Sequence, residues 1–337
     1  TWTAPSTPGT YRIKVVVNDH KGGWDNGILT LSVEWKWKWE LVDGNLYSPW
    51  CAIDVDKNNK PHIVYEWREP TGGPPSYLKY ANNLTGVWDN YTLFDEHPVS
   101  HPTMKIDSFN KIHITYSLFQ APSTNIIKYL TIINGDPTTP QVVSWNGEEP
   151  FIDVDKWNIP HIVFEDVRCI WHYILDTYGK WISEFVYSSL HSIYLLFLGV
   201  DKNDYVYVVF HESESAQPNP FSSIKYAMKP GSGSYNIYTL VTNNILVSSG
   251  AGIDALGNLH IIYYDGDQNA LIYMTNSKGI WTSEAIASNI VVWGARSISV
   301  DSNNNLHIIG MKIEYPFYRL IYIYGHSEKW HMTDLTS

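Results

Sequence analysis

Six times along the chain an Asp is followed, six positions later, by a ring-bearing residue that opens an apolar run. The copies read "DKNNKPHIVY" (Asp56, His62), "DSFNKIHITY" (Asp107, His113), "DKWNIPHIVF" (Asp155, His161), "DKNDYVYVVF" (Asp201, Tyr207), "DALGNLHIIY" (Asp254, His260) and "DSNNNLHIIG" (Asp301, His307). From Asp56 to Asp301 the mean spacing is 49 residues. A strand-built repeat of roughly 40–50 residues is the length of a propeller blade, whereas the coils of a β-helix are much shorter.

Each repeat divides into four strands. The first is short and ends at the Asp ("AIDVD", "TMKID", "FIDVD"). A turn rich in Asn, Lys and Gly follows, as hairpins require. The second begins at the His and is apolar at successive positions, the pattern of a strand covered on both faces. The third reads "LKYAN", "IKYLT" or "LIYMT". The fourth often carries a Trp and then alternates, as in "KWISEFVY". The expected fold is all-β, a six-bladed propeller of four-stranded blades over residues 44–337. Residues 35–43 are a linker or a ring-closing strand, because "KWKWELVD" also reads as a fourth strand.

Residues 1–34 lie outside the repeat. "TWTAP", "PGTYRIKVVVND" and "GGWDNGILTLSVE" resemble the C-terminal part of a PKD/Ig-like β-sandwich. A whole sandwich of that kind needs about 100 residues, so the chain is expected to begin inside such a domain. The repeats, in patterns such as "VDKNNKPHIVYEW", are similar to those of extracellular BNR/sialidase-like propeller proteins. The resemblance implies the architecture and an extracellular or cell-surface location. Sialidases also carry Asp boxes and an Arg triad. This sequence has no Asp box, and Arg68, Arg168 and Arg296 are its arginines on the relevant face.

Composition narrows the partners. A net charge of −11, with no Lys/Arg cluster beyond the mixed "EWKWKWE", disfavours nucleic acid and anionic membranes. No apolar run is long enough to span a bilayer. Two cysteines, Cys51 and Cys169, make no disulfide framework.

A catalytic group occurs once, whereas the Asp–His pair recurs around the ring. It therefore reads as a structural clamp on the first hairpin, with Tyr207 filling the His slot in one copy. No cofactor or metal is expected. Bound Ca²⁺ is the alternative at "DVDKN" (54–58) and "DVDKW" (153–157), which lack the later Gly and Glu of a Ca²⁺ loop.

Function is expected on the opposite face, at the channel mouth, where loops vary without disturbing the ring. The ligand-binding candidates there are Glu66, Trp67, Arg68, Trp145, Glu149, Glu165, Asp166, Arg168, His211, Glu212 and Asp265. Carboxylates hydrogen-bond sugar hydroxyls, and aromatic rings pack on apolar sugar faces. The leading expectation is a non-catalytic binding or assembly module for a glycan or surface protein, with self-assembly through the Ig-like segment. The alternative is a glycoside hydrolase or polysaccharide lyase. Its catalytic candidates are Glu165, Glu212, His211 and Glu66, with His97, His101 and His191 as further bases for a lyase.

Overall fold

The computed structural model describes residues 9–18, 24–33, 40–44, 50–68, 76–94, 96, 98–120, 124–214, 221–242, 245–292, 297–314, 317–326 and 329–336. They form two compact units, residues 1–41 and 42–337. In the first, Gly9–Asn18 pairs antiparallel with Trp24–Val33.

The second unit is a six-bladed propeller. Blade 1 runs in order through Cys51–Val55, Pro61–Arg68, Ser76–Asn82 and Asp89–Phe94, each strand antiparallel to the last. The same order recurs in blades beginning at Val99, Glu148, Ser192 and Ile245. In blade 6 the first strand is split into Ile290–Val291 and Ile298–Val300. No helix among the described residues is long and apolar enough to cross a membrane.

The sequence dictates the hairpin after each first strand. The repeat Asp accepts the N–H of the residue three ahead on its backbone carbonyl, at 2.9–3.0 Å in all six blades. One of its carboxylate oxygens accepts the N–H groups two and four ahead, at 2.8–2.9 Å. The third residue after the Asp must then turn left-handed. Asn59, Asn110, Asn158, Asp204, Gly257 and Asn304 all have φ between 57° and 88°. These residue types tolerate that region best.

Behind the turn stands a polar relay that recurs with small changes. The second carboxylate oxygen faces the His Nε2, at 3.2 Å in Asp107–His113 and 3.8 Å in Asp56–His62. On its other side, the His Nδ1 meets a hydroxyl from the third strand. Tyr129, Tyr273 and Tyr322 supply it at 2.6–2.7 Å, and Tyr80 does so in blade 1. Blade 3 substitutes His172 Nε2 at 2.9 Å. Two of these tyrosines carry an aromatic ring from the next blade. Trp181 meets Tyr129 edge-on at 5.1 Å, and Trp330 meets Tyr273 the same way. Such contacts join blade to blade.

Apolar clusters seal the five junctions from blades 1/2 to 5/6. The junction of blade 6 with blade 1 differs. Ile53 is 65 % exposed, although its counterparts Met104, Ile152, Leu198, Ala251 and Ile298 are buried. Ile309 is 41 % exposed, although Val64, Thr115, Val163, Val209 and Ile262 are fully buried. Asp43 accepts the Tyr65 hydroxyl at 2.8 Å and Lys79 Nζ at 2.9 Å. Glu96 holds the matching Tyr116 and Lys128 of blade 2 at the same distances. Asp43 thus meets blade 1 as a connector residue meets its blade. Residues 35–39, the rest of the linker or ring-closing strand expected from the sequence, lie outside the described residues.

Candidate active site

At the channel mouth two positions in each blade set the chemistry. One lies six residues before the repeat Asp, at the start of the first strand. In blades 1 to 4 it holds Trp50, His101, Glu149 and Leu195. The first strands of blades 2 to 5 carry register shifts near this point, as between Ser100 and Thr103 or Glu148 and Phe151. His101 and Glu149 lie inside their bulges, with φ of 50° and 49°. Bulges re-aim side chains, and here they bring residues from successive blades together. The Trp50 and His101 rings lie 4.1 Å apart. His101 Nε2 stands 3.4 Å from Glu149 Oε1.

The second position lies ten residues after the Asp, near the mouth end of the second strand. It holds Glu66, Ser117, Glu165 and His211 in blades 1 to 4, then Tyr264 and Met311. Ser117 Oγ and His211 Nδ1 are buried without a hydrogen-bond partner. Polar atoms orphaned in this way favour a ligand or water that can satisfy them. Tyr264, by contrast, gives its hydroxyl to Asn269. The polar arc therefore runs over blades 1 to 4.

Glu165 is the pivotal group. It is partly buried, and its Oε1 accepts the Leu195 N–H at 2.6 Å. Burial chiefly, then the negative charges of Glu149 and Glu148, push its carboxyl up to about 8. Glu165 therefore keeps its proton at neutral pH, which a general acid requires. The two-residue turn just beyond it, Val167 and Arg168, has φ of 43° and 68°. Positive φ at both residues is what the two-residue hairpin turn between Asp166 and Cys169 requires.

The other predicted residues divide by how they are occupied. Glu212 is buried against Lys225, Ser189 and Tyr187, and Asp265 caps its own turn through the N–H groups of Asp267 and Gln268. Both carboxylates are engaged internally. Glu66 is buried against Arg68, and its burial raises its pKa. His211 is buried, shares a hydrogen bond with Ser222 and is pushed down to about 4 by burial. The Trp67 ring lies under Lys79 Nζ at 5.3 Å. Arg168 donates to the Leu190 carbonyl at 2.6 Å. Trp145 is exposed, Asp166 is partly buried, and His191 pairs with Glu214 at 3.1 Å. His97, Arg296 and the loop 69–75 lie outside the described residues. Sequence reasoning missed Trp50 and Tyr194, a half-exposed ring stacked on His211 at 5.9 Å. The fixed offset of six from the repeat Asp would have found Trp50, and it groups His101 and Glu149 with it.

At the "DVDKN" and "DVDKW" turns, backbone donors reach the carboxylates proposed for Ca²⁺. Asp54 accepts the Ile106 N–H at 2.9 Å, and Asp153 accepts the Val200 N–H at 2.8 Å.

No protein-family model matches the sequence, and a search of curated proteins finds no relative. Among solved structures, the chain is similar to a PL25 ulvan lyase polysaccharide lyase bound to a GlcA(1-4)Rha3S unit. The identity is 12 %, the TM-score 0.57, and the match covers 86 % of this chain and 83 % of that one. It is similar to a protein of unknown function from Dyadobacter fermentans at 9 % identity and TM-score 0.55, covering 97 % and 98 %. The polysaccharide lyase Uly1 matches at 12 % identity and TM-score 0.52, covering 84 % and 80 %. At these identities the likeness is one of fold.

Proposed function

We propose that this protein is a carbohydrate-active enzyme that cleaves glycosidic bonds of an extracellular polysaccharide at the mouth over blades 1 to 4. The carrying observation is Glu165, a partly buried carboxyl that holds the Leu195 N–H and that burial and the neighbouring Glu149 and Glu148 push up to about 8. Two carboxyl groups in different protonation states are what acid–base cleavage of a glycoside needs. Glu165 gives its proton to the leaving oxygen. Glu149 takes a proton from water, whose oxygen bonds to the anomeric carbon as the glycosidic bond breaks. The likeness to two polysaccharide lyases supports an enzyme over a non-catalytic module, though through the fold alone.

The contact of His101 with Glu149 favours a second reading, elimination at a uronate. There His101 removes the proton beside the uronate carboxylate, and Glu165 again protonates the leaving oxygen. The hairpin at Gly9–Val33 is read with this as part of a PKD/Ig-like domain of a surface protein.

The test is to incubate the chain with arabinan, xylan, pectate and alginate. New reducing ends without ultraviolet absorbance of an unsaturated uronate support hydrolysis, and reducing ends with it support elimination. No new ends from any polymer, with the wild-type chain folded, would count against the enzyme reading.

A further inference from the structure

We infer that the site takes an internal segment of a polysaccharide, laid across the mouth from blade 1 to blade 4, so that cleavage is within chains and not at their ends. This rests on the function proposed above. The observations form one continuous arc. Trp50 is 37 % exposed and contacts His101, which contacts Glu149. The charge of Glu149 bears on Glu165, and Glu165 holds the backbone N–H of Leu195. The neighbouring Tyr194 is 39 % exposed and stacks on His211. An aromatic ring therefore stands at each end of the arc, with the reacting carboxyls between them. Partly exposed aromatic rings pack on the apolar faces of sugars.

Orphaned polar atoms also lie on both sides, among them Glu66 Oε2 in blade 1 and Ser249 Oγ in blade 5. Ser117 lies in blade 2 and His211 in blade 4, on either side of Glu165 in blade 3. A chain-end pocket would place its polar groups and a blocking wall on one side of the acid. Here both sides present a ring and at least one buried polar atom, the layout that holds sugar units on both sides of the bond to be cut.

The experiment uses the whole chain with arabinan, xylan, pectate and alginate, first in affinity electrophoresis and then in cleavage. The binding polymer is digested and its mass distribution followed by size exclusion. The expected result is an early fall in polymer mass. Trp50→Ala and Tyr194→Ala should each raise KM about tenfold with kcat little changed, and Trp50→Phe and Tyr194→Phe should restore KM. Small sugars released from the start while polymer mass holds, or dependence on one ring alone, would overturn the inference and leave the proposed activity standing. Retardation that needs both rings, without cleavage, would overturn the activity and uphold the extended binding mode. Neither retardation nor cleavage would overturn both.

Discussion

The two ends of the propeller are built from the same six repeats and behave oppositely. At the hairpin-turn end, blades repeat one arrangement of Asp carboxylate, turn N–H groups, imidazole and tyrosine hydroxyl. At the mouth, matching positions hold Trp50, His101, Glu149 and Leu195, or Glu66, Ser117, Glu165 and His211. Repetition marks what every blade needs in order to fold. Divergence at matched positions marks what the ring as a whole is for. An Asp–His pair met once would look catalytic; met around a ring, it is scaffold.

The sharpest way to break that contrast is to remove the proton donor. Glu165→Gln should lower cleavage by about 10²–10⁴-fold, the usual worth of a general acid, while leaving the fold intact. A steady-state assay together with a thermal melt separates the two effects. Asp107→Ala should do the reverse. Its two turn N–H groups lose their acceptor, so stability should fall by about 1–3 kcal/mol in urea titration, with kcat retained.

Titration distinguishes the ends more finely. Glu165 has a folded-state pKa raised above its ordinary value, so the folded state binds the proton more tightly. Its contribution is fully present at low pH and is lost as pH rises toward about 8. Glu165→Gln should remove this slope. The scaffold's His113 and His172 are pushed down to about 4 by burial, so the folded state resists protonating them. Stability should fall as pH drops from about 6.5 toward 4, by up to about 1.4 kcal/mol per pH unit for each group. Urea unfolding across pH reads both slopes. The smallest effect belongs to the exposed junction. Ile53→Asp should change stability by about 0.5 kcal/mol or less, whereas the same change at its buried counterpart Ile152 should unfold the chain.

Much of this fold is written locally. Blade number, strand order and the position of each hairpin follow from the Asp, the ring-bearing residue six positions on and the apolar run behind it, because a turn is set by a few adjacent residues. The third-strand tyrosines were equally visible in "LKYAN" and "LIYMT" but were not read as partners of the histidines, since strand pairing sets that contact. The site was less legible. Glu149, Glu165 and His101 could be named as types, yet no local pattern says that two adjacent blades bring them together. That depends on bulges in the first strands and on how the blades pack. For the same reason Glu212 and Asp265 looked like free carboxylates, while the fold engages them with Lys225 and with turn N–H groups. Closure is ambiguous in the sequence because "KWKWELVD" also reads as a fourth strand; among the described residues, Asp43 meets Tyr65 and Lys79, and the Val42 carbonyl accepts from Asn90 Nδ2, so its end is tied to blade 1.

The most direct test of the central claim is a carboxyl-carbon NMR titration of the chain labelled at glutamate, with Glu165→Gln to assign the signal. The account predicts one glutamate carboxyl that titrates at about 8 and vanishes in the variant. If every glutamate ionises in the ordinary carboxylate range, Glu165 is not a proton donor at neutral pH, and the mouth loses its claim to be a catalytic site.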